Sequence, residues 1–87
     1  MIELHELKSR WNEVLDLLER SNRIAWLAYF DGRLSALADR RLTLDFRDAA
    51  KLAGDHDYTY VRKAEHRKAL EDAIEEVIGE RIKVVEI

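Results

Sequence analysis

The residues best suited to chemistry lie in the stretch 51–68, KLAGDHDYTYVRKAEHRK, which combines two tyrosines, two histidines and a basic run. Four basic residues near its end recur at helical spacing: Arg62, Lys63, His66 and Arg67. With Tyr58 or Tyr60 nearby, they predict a patch that binds an acidic protein segment or a strand of nucleic acid. The alternative is structural, because long basic side chains also cover apolar surface with their stems while the charges stay in water.

A second candidate surface lies in the closing segment RIKVVEI, a β-branched run that predicts a strand. Alternation places Val85 and Ile87 on the face opposite Ile82 and Val84. If this strand lies at a sheet edge, a partner could add a strand beside it, with Lys83, Val85 and Ile87 as docking residues. Lys83 and Glu86 would then discourage indiscriminate pairing.

Phosphate gripping by a glycine loop is not supported by the sequence. A G-x-x-G loop holds nucleotide backbone because bare glycine amides approach phosphates closely. Here Gly54 is the only glycine between Gly32 and Gly79, and its surroundings, AGDHDYTY, carry two aspartates that repel phosphate. This segment is better interpreted as a helix stop followed by a cap region.

The sequence contains no motif for metal binding, catalysis or nucleotide binding. The histidines lie too far apart in sequence to predict a metal site, and none lies four residues from another: His5, His56 and His66. The chain has no cysteine, which excludes thiol catalysis and disulfides, and it lacks nucleophile-elbow, P-loop and dinucleotide motifs. We therefore expect a protein that is not an enzyme and has no cofactor.

The carboxylates of the long helix are interpreted as solvation and helix support. Its solvated face is expected to carry Glu71, Asp72, Glu75 and Glu76. On that face Arg67 can pair with Glu71, and Lys68 with Asp72, at i, i+4 spacing.

Composition indicates one small domain spanning residues 1–87. Hydrophobic residues make up 47% and charged residues 38%, which fits a soluble α+β domain. The formal charge of −3 argues against a general polyanion binder. The sequence has no apolar run long enough for a membrane helix and its N-terminus is unlike a signal peptide, so a cytoplasmic location without membrane partners is expected.

The elements follow from periodicity. A 3.6-residue apolar pattern predicts a first helix over 3–20 and a second over NRIAWLAYF, with Ser21-Asn22 as its cap and Trp26 in the core. RLSALA and RLTLDFR alternate and predict a hairpin around Asp39-Arg40. A short helix around DAAKLAG and a long helix from about Thr59 to Ile78, ended by Gly79, precede the closing strand. Because that strand arrives by a crossover, it should pair in parallel.

The predicted order is therefore α-α-β-β-α-α-β, in an α+β fold. It consists of a three-stranded mixed sheet with helices on one face. This arrangement resembles the type II KH fold with one extra leading helix, and a fold alone does not establish a function.

A more specific resemblance spans almost the whole chain, through RWNEVLDLLERSNRIAWL, RRLTLDF and HRKALEDAIEEVIGERIKVVEI. Five groups of residues carry it: Trp11, Val14 and Leu15, then Leu42 to Phe46, then His66 to Lys68, then Val77, Ile78 and Gly79, then Ile82, Val84 and Val85. Together they resemble the C-terminal domain of bacterial DNA polymerase III gamma/tau clamp-loader subunits.

That resemblance implies a docking module without ATPase activity, which tethers the polymerase subunit and, secondarily, single-stranded DNA. Two alternatives stay open: a KH-like nucleic-acid binder that uses the basic helix start, and a homo-oligomeric structural domain.

Overall fold

A computed structural model describes residues 2–46 and 63–87, and these residues form an α+β fold with a three-stranded mixed sheet. The elements in chain order are α1 Leu4–Ser9, α2 Trp11–Ser21, α3 Arg23–Tyr29, β1 Arg33–Ala38, β2 Arg41–Asp45, α4 Ala64–Ile78 and β3 Lys83–Glu86. The predicted fold class is confirmed. The short helix around DAAKLAG and the residues Gly54, His56, Tyr58 and Tyr60 lie outside the described part of the chain.

The sheet has β2 at its centre, antiparallel to β1 and parallel to β3. The parallel pairing of the closing strand is thus confirmed. The buried residues of the sheet all lie on one face: Leu34, Leu42, Leu44 and Val84. Helical residues of the same core cluster, including Leu7, Leu18 and Ile74, pack against this face. Burial of these side chains is the main source of stability, at about 1.5–3 kcal/mol for each large apolar side chain.

The prediction of one long first helix over 3–20 is wrong in one respect. The structure has two helices there, α1 and α2, which meet at Arg10. Arg10 has φ −109° and ψ 6°, outside the helical region, so α1 ends before it and α2 begins after it. The hydroxyl of Ser9 donates to the carbonyl of Glu6 at 2.7 Å, which competes with the backbone ladder at this point. The apolar stripe persists across the break, since Leu7 and Trp11 are both buried.

α3, which corresponds to the second predicted helix, begins as predicted at an asparagine cap. The side chain of Asn22 accepts a hydrogen bond from the N–H of Ala25 at 3.1 Å. Trp26 was expected in the core and is only half-buried, because Ala25, Ala28 and Tyr29 form the buried face of α3. Trp26 instead stacks on Phe30, with ring centroids 4.9 Å apart.

The start of α4 also differs from the prediction. Lys63 is extended, with φ −92° and ψ 164°, so the helix begins at Ala64 and not near Thr59. Residues 59–62 of the predicted helix lie outside the described part of the chain. The other end is as expected: Gly79 adopts φ 87°, the left-handed conformation that glycine accepts most readily, and its N–H bonds to Glu75 at 2.8 Å.

The β1–β2 turn predicts a stabilising substitution. Asp39 and Arg40 both have positive φ, 52° and 59°, as the tight two-residue hairpin turn requires. A non-glycine residue pays for this conformation, so Arg40→Gly should raise the free energy of unfolding by about 0.5–1 kcal/mol, measured by urea denaturation. Arg40→Ala is the control, because alanine keeps the Cβ and should show no such gain. An equal gain from both variants would show that the arginine side chain, and not the backbone, causes the strain.

Candidate binding surface

In the described part of the chain the helices pack on one face of the sheet, and the opposite face carries the predicted docking residues of β3. We call this opposite face the outer sheet face. Strand register assigns it three rows across the sheet: Ala38, Arg41 and Lys83, then Ala36, Thr43 and Val85, then Arg33, Asp45 and Ile87. The first two rows follow directly from paired residues, and Ile87 continues the β2–β3 register by one position. The predicted docking residues Lys83, Val85 and Ile87 therefore all lie on this face.

One end of the outer sheet face is positively charged. Arg41 and Lys83 are register partners on neighbouring strands, and both are exposed. In the described part of the chain neither forms an ion pair or a side-chain hydrogen bond. Like charges side by side on a sheet are destabilising. At the other end Arg33 lies opposite Asp45, so among the described residues of this face Arg41 and Lys83 are the charges without an opposite charge as register partner.

The β3 side of the same face is apolar. Val85 is 42% exposed and Ile87 is 53% exposed, although both are large and β-branched. On the opposite face of the same segment, Val84 and Ile82 are only 4% and 1% exposed. The predicted alternation of this strand is confirmed, and it leaves two apolar side chains exposed on the outer sheet face.

β3 is an edge strand, as the docking hypothesis required. The N–H groups of Lys83 and Ile87 bond to the β2 side, at 2.8 Å to Arg40 O and 2.9 Å to Leu44 O. The N–H of Val84 points the other way and donates to Glu71 Oε2 at 2.8 Å. A carboxylate of α4 thus already occupies one of the outward backbone groups that an added strand would need.

Glu71 also belongs to a charged cluster around Arg81. The Arg81 guanidinium lies 2.6 Å from Asp72, 3.3 Å from Glu75 and 3.6 Å from Glu71. The hydrogen bond to Asp72 is the main cause of a raised pKa of Arg81. Sequence analysis placed Glu71 on the solvated face and paired it with Arg67, which is wrong: its side chain is only 14% exposed, because it turns toward β3.

The predicted Lys68–Asp72 pair is not formed either, since Asp72 bonds to Arg81.

Three of the four cations predicted at the start of α4 lie among the described residues. Arg62 lies outside the described residues. Lys63 and Arg67 are exposed and one turn apart, with the N–H of Arg67 bonded to Lys63 O at 2.9 Å. The side chain of His66 is only 12% exposed, and its Nε2 lies 3.9 Å from Glu65 Oε1. Of the three described cations, Lys63 and Arg67 are therefore exposed together, and His66 lies beside the acidic Glu65.

Two further features do not form a persuasive site. An open depression of about 290 Å³ between α2 and α4 is lined by Leu17, Ser21, Asn22, Ala69, Asp72, Ala73 and Glu76. It combines two carboxylates with no nucleophile–base pair. Glu3, His5 and Glu6 bring ligand atoms within 4.8 Å of one another, but all three are exposed, and exposed acidic groups commonly cluster without a metal.

Comparison with protein-family models, with curated proteins and with solved structures finds no match. Among the described residues, no helix combines the length and apolar character needed to cross a bilayer.

The residue that sequence reasoning missed is Arg41. The wet face of β2 was predicted from the alternation of Leu42 and Leu44. Nothing local in the sequence, however, indicates that Arg41 lies beside Lys83, 42 positions later, because that neighbourhood depends on the parallel register.

Proposed function

We propose that this domain is a non-catalytic docking module that binds a protein partner through the outer sheet face. The observation that carries the proposal is the juxtaposition on that face of exposed Val85 and Ile87 with the cations Arg41 and Lys83, which form no ion pair among the described residues. Apolar side chains beside unpaired charges provide both burial and orientation to a protein partner.

A protein partner is favoured over nucleic acid by the composition of this face. Single-stranded nucleic acid is usually held by aromatic side chains on which bases stack. The three described strands place no aromatic residue on the outer sheet face, since Phe46 is buried on the opposite side. The chain as a whole is also acidic, at −3.

The partner we propose is the replicative DNA polymerase subunit. This choice rests on the resemblance to the gamma/tau C-terminal domain, carried by Trp11, Leu42 to Phe46 and the closing strand. In that role the domain would act in the bacterial cytoplasm as a tether within the replication machinery, with no enzymatic activity and no cofactor of its own.

The proposal predicts saturable binding to the purified polymerase subunit in biolayer interferometry. Ile87→Ser should weaken this binding at least about tenfold, because one buried apolar side chain contributes about 1.5–3 kcal/mol. Ile24→Ser is the matched control, since Ile24 is equally exposed, at 54%, but lies on α3. Labelled single-stranded DNA is titrated in the same buffer series.

Two outcomes would contradict the proposal. Absence of polymerase binding would remove the proposed partner. Firm binding to the oligonucleotide, with affinity falling by about 0.7 log units per log of salt for each phosphate contact and lost on charge reversal of Lys63 and Arg67, would instead support the KH-like alternative.

A further inference from the structure

We propose that Arg41 and Lys83 are an anion-recognition pair, and that the segment docking on the outer sheet face is acidic at one end and apolar along the rest. This inference rests on the proposed docking function and names the chemistry of the partner. The occupant is a protein segment that presents one or two carboxylates to the cation pair and aliphatic side chains to Val85 and Ile87.

In the free domain Arg41 and Lys83 repel each other. Register places Arg41 directly beside Lys83, and neighbouring strands lie about 4.8 Å apart. The residue on the other side of Arg41 is Ala38, which offers no charge. The two cations therefore repel each other across a short distance, and neither has a carboxylate as register partner in the described sheet. A bound carboxylate would convert this repulsion into attraction.

The spacing of Lys83, Val85 and Ile87 along β3 determines the pattern that a partner segment needs. Lys83, Val85 and Ile87 point to the same side of β3, and four residues of strand span about 13 Å. The charge lies at the Lys83 end and the exposed apolar surface toward the Ile87 end. A complementary segment thus needs its acidic residues at one end and its apolar residues within the next 13 Å or so.

An acidic protein segment fits this face better than nucleic acid or a second copy of the chain. A phosphate strand would satisfy the cations, but its bases would meet Thr43, Val85 and Ile87, which provide no aromatic platform. A second copy docked face to face would bring the same charge excess onto both partners, since Arg33 and Asp45 contribute no net charge. Charge complementarity therefore favours an acidic protein segment.

The test is a ¹⁵N NMR titration of the full chain at low salt with two peptides. One peptide has two glutamates followed by alternating valine and serine; the other has lysines in place of the glutamates. We expect the acidic peptide to shift the amides of Arg41, Thr43, Lys83 and Val85, and the basic peptide to leave them unchanged. An oligothymidylate is titrated in parallel.

Lys83→Glu is the most informative variant, because it should raise the stability of the domain and weaken its binding to the acidic peptide. The new glutamate would pair with Arg41, so the melting temperature should rise by about 1–5 °C. The same change should weaken acidic-peptide binding at least tenfold. Lys83→Arg keeps the charge and should keep the binding. Lys63→Glu is the matched control, since Lys63 is exposed, forms no ion pair among the described residues and lies at the start of α4.

Several results would overturn the inference: peptide binding lost with Lys63→Glu and kept with Lys83→Glu, oligothymidylate shifting the same amides while the acidic peptide does not, no probe shifting them, or self-association through this face. Polymerase binding that depends on Ile87 but not on Lys83 would sink the inference and leave the docking function intact. Acidic-peptide binding without polymerase binding would support the inference and would exclude the polymerase subunit as the partner.

Discussion

Leu42→Ala should lower the free energy of unfolding by about 3–4 kcal/mol, the largest single effect that we expect in this domain. Leu42 has no exposed surface and lies on the central strand, where it is register partner to both Leu37 and Val84. Shortening it would leave a cavity that the flanking strands cannot easily close, since the sheet hydrogen bonds hold them on both sides.

Thr43→Ala is the control for this prediction. Thr43 is the next residue on the same strand but points to the outer sheet face, so its substitution should change the free energy of unfolding by less than about 1 kcal/mol. Both values can be measured by urea denaturation followed by circular dichroism. Similar losses in the two variants would mean that β2 is stabilised by its backbone ladder and not by the helix-covered core.

Prediction succeeded where a single periodicity runs through one element. The stripe of Val14 and Leu18 defined the buried side of α2, and the alternation of Leu42 with Thr43 defined the two faces of β2. These patterns are local consequences of burying one face, so they can be recognised without knowing the fold. Gly79 marked a helix end for a similar reason, because few other residues accept its backbone conformation.

Prediction failed where one hydrogen bond or one distant neighbour decides the structure. The break at Arg10 leaves the apolar period intact, so periodicity could not reveal it. The partner of Glu71 was wrong because an i, i+4 rule considers only the same helix, whereas its acceptor oxygen bonds to β3. The exposed side chains Lys83, Val85 and Ile87 could be selected by alternation. The role of Arg41 could not, because it depends on strand register between distant segments.

Glu71→Ala should produce the second large effect, a loss of about 1.5–3 kcal/mol in the free energy of unfolding. Glu71 accepts the outward N–H of Val84 at 2.8 Å, and its carboxylate lies 3.6 Å from Arg81. Removing it would leave a partly buried backbone donor without this acceptor. The ion pair itself should contribute little, since Arg81 is exposed and keeps Asp72 and Glu75 as partners.

Glu71→Gln and Glu76→Ala are the matched variants. Glutamine keeps an acceptor oxygen for Val84 but not the charge, so it should lose clearly less stability than alanine. Glu76 lies exposed on the same helix without an ion pair among the described residues, and its substitution should be nearly neutral. Thermal unfolding monitored by circular dichroism would rank the three, at about 4–8 °C for each kcal/mol in a domain of this size.

The same variants also distinguish two docking modes, because Glu71 covers the edge of β3 and not the outer sheet face. Removing its side chain exposes a backbone N–H to any added strand. If partners dock on the face, Glu71→Ala should leave acidic-peptide affinity within about twofold once the remaining folded fraction is taken into account. A marked gain in affinity would show instead that partners add a strand at this edge, and that Glu71 competes with them for Val84.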